Sequence, residues 1–319
     1  MNQFTGHPLY RKHNLDSAMS SLWEFYKKYF VSLFIISFVM SLVIQYSSTF
    51  IDLKDIQTTT DPAIIFDKLR QMIIPILLLS LINLLFTNIL QYYILYNPLD
   101  RSNNIFVAAA RSLKYFIPYL IMMILLAFAG GIAVFLGLFL LVIGAFFAML
   151  YVMTIYLFIL PVLMVEGTNI ANAITRTIKL AHRKFWHNIG WVAVFLILII
   201  VISIILSGII LLPFTGDFIK AIVNPQNAGA DILNQATSPL FIVLSALVSA
   251  ITFPLMPIFS AILYFNGKAS EDEAVIVEQP PVEPSLRVED LYAKPYADDH
   301  PDNPEEKGPE EEEDKEDEE

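Results

Sequence analysis

Residues 115–165 read YFIPYLIMMILLAFAGGIAVFLGLFLLVIGAFFAMLYVMTIYLFILPVLMV, 51 residues without one charged side chain. As a straight helix at about 1.5 Å per residue the stretch would reach about 75 Å, whereas a bilayer's hydrocarbon core is about 30 Å thick. It therefore folds back as two membrane spans, with the reversal near Gly137 to Gly144. Outward from this pair, the apolar runs 30–48 and 72–96 precede it and 189–214 and 240–265 follow it. The spans are set at 30–48, 72–96, 115–138, 141–165, 189–214 and 240–265. The first follows a polar stretch with Arg11, Lys12, Lys27 and Lys28, and no small-residue cleavage site comes after it, so it reads as a retained span rather than a signal peptide. The fold class is an all-α integral membrane protein with six spans, residues 1–29 forming an N-terminal segment and 266–319 a tail.

Six crossings place both termini on one side, and the Lys and Arg of the short connections choose which. One set holds Arg11, Lys12, Lys27, Lys28, Arg101, Arg111, Lys114, Arg176, Lys179, Arg183 and Lys184; the other holds Lys54, Lys68, Arg70 and Lys220. The excess of eleven over four puts both termini in the cytoplasm. Trp23, Trp186 and Trp191 all fall at that inner interface, where an amphipathic ring is favoured.

Composition agrees: 56% of the residues are hydrophobic and 16% charged, against about 45–50% and about 25% in soluble domains. The net charge of −11 divides into +5 before Gly267 and −16 from it onward. The tail from Glu271 carries Pro280, Pro281, Pro284, Pro295, Pro301, Pro304 and Pro309 and ends in acidic residues. Too little apolar surface is available there to offset ordering entropy, so it is expected to be disordered: a solvating appendage, or a docking segment anchored by Leu286, Val288, Leu291 and Tyr292. The absence of cysteine excludes disulfides, thiolate metal sites and a cysteine nucleophile.

An internal repeat is visible. Asn104-Ile105-x-x-Ala108-x-x-Arg111-Ser112-Leu113-Lys114 aligns without a gap on Asn169-Ile170-x-x-Ala173-x-x-Arg176-Thr177-Ile178-Lys179, and the segment from Asp16 to Lys28 reads as a weaker third copy. Each is expected to be a basic interfacial helix leading into an odd-numbered span, which gives three units of interfacial helix plus two-span hairpin. Convergence of any basic helix at an inner interface would produce a similar pattern. The candidate lipid-contact residues are Arg111, Lys114, Arg176, Lys179, Arg183 and Lys184.

Pro161-x-x-x-x-Glu166 closing the fourth span, followed by Ala173-x-x-Arg176-Thr177 and a new span, resembles the multi-span bacterial family that includes the membrane domain of glycerophosphodiester phosphodiesterases and related six-span proteins. The likeness is best over residues 137–200. It implies the fold of a membrane module; the family's hydrolase activity lies in a soluble barrel for which the tail after Phe265 has no room.

A charged group at mid-bilayer costs about 2.5–3.5 kcal/mol on insertion scales, and the central part of every span is free of them. Glu166, at the inner end of the fourth span, is expected to cap the helix that follows. His182 and His187 share a loop without a third ligand, so no metal is expected, and no cofactor motif is present. Uncharged polar stripes do run along span one (Ser37, Ser41, Gln45, Ser48) and span two (Ser80, Asn83, Thr87, Gln91), each on one helical face. They read first as helix packing and second as a path for a polar or lipid head group. Pro254 and Pro257 predict a kink in span six. The chain thus reads as a non-enzymatic protein that organises or assists partner membrane proteins or lipids, with a transporter or lipid translocator as the alternative and no nucleic-acid partner.

Overall fold

The computed structural model describes residues 3–50, 61–100, 102–216 and 237–278. Lys54, Arg101, Lys220 and the acidic run beyond 278 lie outside the described residues. The chain divides into two compact units, Met1–Ala274 and Val275–Glu319, and the bundle and its candidate site belong to the first.

After a 3-10 turn at Gln3–Gly6, all the described regular structure is helical, without strands: α1 Leu15–Lys28, α2 Phe30–Ser48, α3 Pro62–Tyr96, α4 Ile105–Phe139, α5 Leu141–Glu166, α6 Ile170–Arg183, α7 Phe185–Leu211, α8 Pro239–Thr252 and α9 Leu255–Glu278. Six helices are long and apolar enough to cross a membrane, the sixth being α8 and α9 taken together. In the uninterrupted apolar stretch the helix breaks at Leu140, whose N–H turns back to the Gly137 carbonyl at 3.0 Å. A Cβ on Gly137 would lie 2.8 Å from the Gly144 backbone, so only glycine lets α4 and α5 come this close.

The spans close a ring in which neighbours are α2, α3, α4, α5, α7, α8 and again α2. Ser37 and Ser41 of α2 are buried, as are Ala246 and Ala250 of α8; small residues four apart let two helices approach. Inside the ring stands α9. Ile258, Phe259, Ala261, Ile262, Tyr264 and Phe265 are all fully buried, so over this stretch no face of the helix is left for solvent or lipid, as expected of a helical segment apolar all round. Burial is concentrated at the end of the bundle that carries residues 3–28, here termed the basal end. Leu90 to Leu95, Leu157 to Met164 and Leu255 to Phe265 are its core, while Ile73 to Leu78, Phe135 to Ile143 and Ile197 to Ile209 expose apolar side chains at the other end.

Several boundaries differ from those the sequence predicts, among them the start of α3, which lies at Pro62 rather than 72 and takes Lys68 and Arg70 into the helix. The expected short helix from Asn104 is not separate: α4 runs through Tyr115 as one helix of 35 residues, whereas α1 and α6 end at the non-helical Tyr29 and Lys184. The expected kink in span six is a full break between α8 and α9 at Phe253–Pro254, where two prolines withhold backbone donors within four residues. The tail does not begin at 266, because α9 continues to Glu278 and buries Asn266 and Ser270.

Candidate functional site

The fold brings the basal ends of α5, α6 and α9 together around one arginine. Asn169 starts α6, its side chain accepting from the Asn172 N–H at 3.1 Å, and Gly167 makes the corner after α5 with φ at +120°, a region closed to other side chains. Arg176, two turns along α6, then faces the bundle. Its Nε donates to Glu166 Oε2 at 2.6 Å and its Nη1 to Glu271 Oε1 at 2.8 Å, while Nη2 meets Glu271 Oε2. Glu271 also draws Arg183 at 3.3 Å and Lys268 at 3.8 Å. The remaining Glu166 oxygen accepts from the Tyr264 hydroxyl at 2.9 Å.

Glu166 therefore does not cap α6; Asn169 does, and the carboxylate ties α5 to α6 and α9 instead. Pro161 acts with it. Having no N–H, it leaves the Leu157 carbonyl without its helical donor, and Ser260 of α9 donates to that carbonyl at 2.5 Å. The Pro161-to-Arg176 motif is thus a docking device for the central helix.

The six cations expected at a lipid surface have unlike surroundings. Arg176 is turned inward, with its side chain 18% exposed, and Arg183 is shared between Glu271 and the Ser270 carbonyl. Arg111 donates to Asn103 at 2.7 Å, and Lys114 lies over the Tyr115 ring. Lys179 and Lys184 are exposed and have no ion pair among the described residues. His182 and His187 point to different partners, His182 to the Tyr151 hydroxyl and His187 to the Trp191 ring.

Residues 3–13, which show no periodic pattern, form a second part of the basal end. Phe4, His7 and Leu9 are buried. His7 Nδ1 accepts from the Leu9 N–H at 3.2 Å, which leaves Nε2 to donate to the Ile94 carbonyl at 3.1 Å and selects the neutral ring. Burial lowers its pKa from 6.5 to about 4, and burial also lowers that of His13. The His13 N–H donates to Asn266 at 2.9 Å. Tyr10 donates to Asp272 and Lys12 pairs with Glu273; burial, then the bond to Asp272, raises the Tyr10 pKa. Three successive acids of α9, Glu271, Asp272 and Glu273, are thus held by α6 and the N-terminal segment.

Between α3, α4, α5 and the α8–α9 break lies a cavity of about 60 Å³ whose polar wall residues, Asn83, Thr87, Gln91, Tyr119, Tyr156 and Ser260, alternate with apolar ones such as Leu90, Leu160 and Met256. Gln91 is 1% exposed and its Nε2 has no hydrogen-bond partner among the described residues. The stripe on span two is turned into the bundle at its Gln91 end, with Asn83 and Thr87 half-buried beside the cavity, whereas Ser80 is exposed and donates to the Ile76 carbonyl of its own helix at 2.8 Å. Tyr156 also borders an apolar groove of about 470 Å³ between α4 and α5, whose walls include Met123, Gly131, Met149 and Met153. Comparison with family models, curated proteins and solved structures finds no match for this chain.

Proposed function

We propose that this multi-pass protein is a non-enzymatic component of a bacterial cytoplasmic membrane that organises or assists partner membrane proteins or lipids. Both termini lie in the cytoplasm, and the protein comprises three units, each a basal helical segment with its two-span hairpin, the second segment being continuous with α4. The observation that carries the proposal is that Ser37 and Ser41 of α2 and Gln91 of α3 are buried in a packed bundle, whose cavity at Gln91 is only about 60 Å³. The cationic surface left at the basal end, Lys179 and Lys184 beside Trp186, suits anionic head groups or a partner's acidic segment. Support for the repeat comes from a shared start. Asn14, Asn104 and Asn169 each cap a helix by accepting from the N–H three residues on, at 2.8, 3.0 and 3.1 Å, and Ala18, Ala108 and Ala173 four residues on are each buried. The resemblance to the membrane module of glycerophosphodiester phosphodiesterases fits such a role, since that module is separate from its hydrolase barrel.

Transport is the second reading, favoured by the broken helix beside this cavity, an arrangement that membrane transporters use for substrate sites. The chain's lack of cysteine makes the test clean. Single-cysteine variants at Thr87 and Ser260 are treated from each side with a membrane-impermeant thiol reagent. An organising protein leaves both unlabelled, while a benzophenone placed at Lys179 or Lys184 yields one recurrent adduct in native membranes. Labelling of either cavity cysteine, with no recurrent adduct, supports transport instead.

A further inference from the structure

We propose that the cavity at Gln91 and the apolar groove beside it form one binding site for a neutral, hydroxyl-bearing lipid of the diacylglycerol class. Gln91 lines the cavity and its buried Nε2 has no hydrogen-bond partner among the described residues, and such a group is costly to leave unmet away from water. Pro257, beside the α8–α9 break, lines the same space and has no backbone N–H to offer it. A hydroxyl group both accepts and donates, so it satisfies the amide in either orientation.

Charge narrows the class. No Lys, Arg, His, Asp or Glu lines the cavity; a phosphate or ammonium head buried there would lack a counter-ion, at a cost that a neutral head avoids. The groove narrows it again. It shares the Tyr156 wall with the cavity, its methionines adapt to irregular chains, and a Cβ on Gly131 would meet nothing within 4 Å. Water would fill the polar part and leave the groove, and a phospholipid tail would fill the groove and leave Gln91 unmet. A lipid with a small hydroxyl head and an acyl chain answers both. The site goes beyond the organising role and does not depend on it, because lipid capture is read without any partner protein.

The test uses the full-length protein in phosphatidylcholine nanodiscs containing a diacylglycerol with a diazirine on one acyl chain. After irradiation, adducts are mapped by peptide mass spectrometry. The expected result is labelling centred on Met123, Met149 and Met153, competed by unlabelled diacylglycerol and not by phosphatidic acid. Gln91→Leu should lower the yield about fivefold, roughly the worth of one neutral hydrogen bond. Gly131→Leu should abolish it, and because its side chain enters open space this variant keeps the test valid if Gln91→Leu does not fold. Labelling scattered over the lipid-facing helices, equal competition by phosphatidic acid, or an undiminished yield in folded Gln91→Leu or in Gly131→Leu would overturn the proposal.

Discussion

Arg176 uses three nitrogens on two carboxylates from different helices, a fork that lysine's point charge cannot reproduce. Arg176→Gln and Arg176→Lys are both expected to lower stability by about 2 kcal/mol, the scale of a lost hydrogen bond to a partly buried charge. Lys184→Gln, a change to an exposed cation, should stay within about 0.5 kcal/mol. Thermal unfolding in one detergent compares the three, and equal effects at Arg176 and Lys184 would refute the inward role. His7 links stability to pH. Its folded pKa of about 4 lies below the ordinary 6.5, so as pH falls the unfolded chain takes up the proton first. The stabilisation is complete above pH 6.5 and is lost between 6.5 and 4, about 2 kcal/mol of it by pH 5. His13 shifts in the same direction and adds to the loss. Melting curves from pH 7 to 5 should show the decline, and His7→Gln should remove the larger part of it; a variant as pH-sensitive as the parent would contradict the assignment.

At the scale of the element, the α4–α5 hairpin depends on one close backbone approach. A Cβ at Gly137 meets backbone atoms of Gly144 and Ala145 at under 3 Å, and backbone cannot rotate away as a side chain can. Gly137→Ala is expected to cost about 1–3 kcal/mol, the range for overpacking. Gly131→Ala enters open space and should be neutral or slightly stabilising through helix propensity. Chemical unfolding of the two variants separates the sites, and a harmless Gly137→Ala would show that the hairpin can open. Among the short helices, Asn169→Ala should destabilise by about 1 kcal/mol by removing the α6 cap. That all three Asn positions carry the same cap was legible only in part, since the gapless match covered Asn104 and Asn169, while the first copy was placed at Asp16 without its cap. Whether each short helix continues into the next span was not legible, because Lys114, Tyr29 and Lys184 occur in similarly polar surroundings and the break depends on what each helix packs against.

For the whole molecule, the two ends of the first unit are joined: residues 7–13 touch α3 and α9, and α9 in turn holds α5 and α6. Removal of residues 1–13 withdraws Phe4 and Leu9 from the core, each worth about 1.5–3 kcal/mol when fully buried. The shortened protein should melt at a clearly lower temperature and be cut by protease within α9, whereas truncation after Glu278 should leave the melting temperature unchanged. The reverse ranking would show that the core does not depend on its N-terminal segment.

Hydropathy by itself determined that the chain crosses a membrane, how many crossings it makes, and where the 51-residue stretch must turn. Transfer from water to lipid is nearly additive along a helix, and bilayer thickness supplies the length scale, so local sequence suffices. Charge-free span centres and the paired glycines were legible for the same reason. Only the tertiary structure decided that Phe4 and His7 enter the core, that Glu166 leaves the cap to Asn169, and that Glu271 belongs to Arg176 rather than to a solvated tail. These are pairings across as many as 95 residues for Arg176 and Glu271 and 87 for His7 and Ile94. No periodicity encodes such a pair: it exists because α9, apolar on every side over residues 258–265, is drawn into the ring and brings its terminal acids to whichever donors the other helices have placed there.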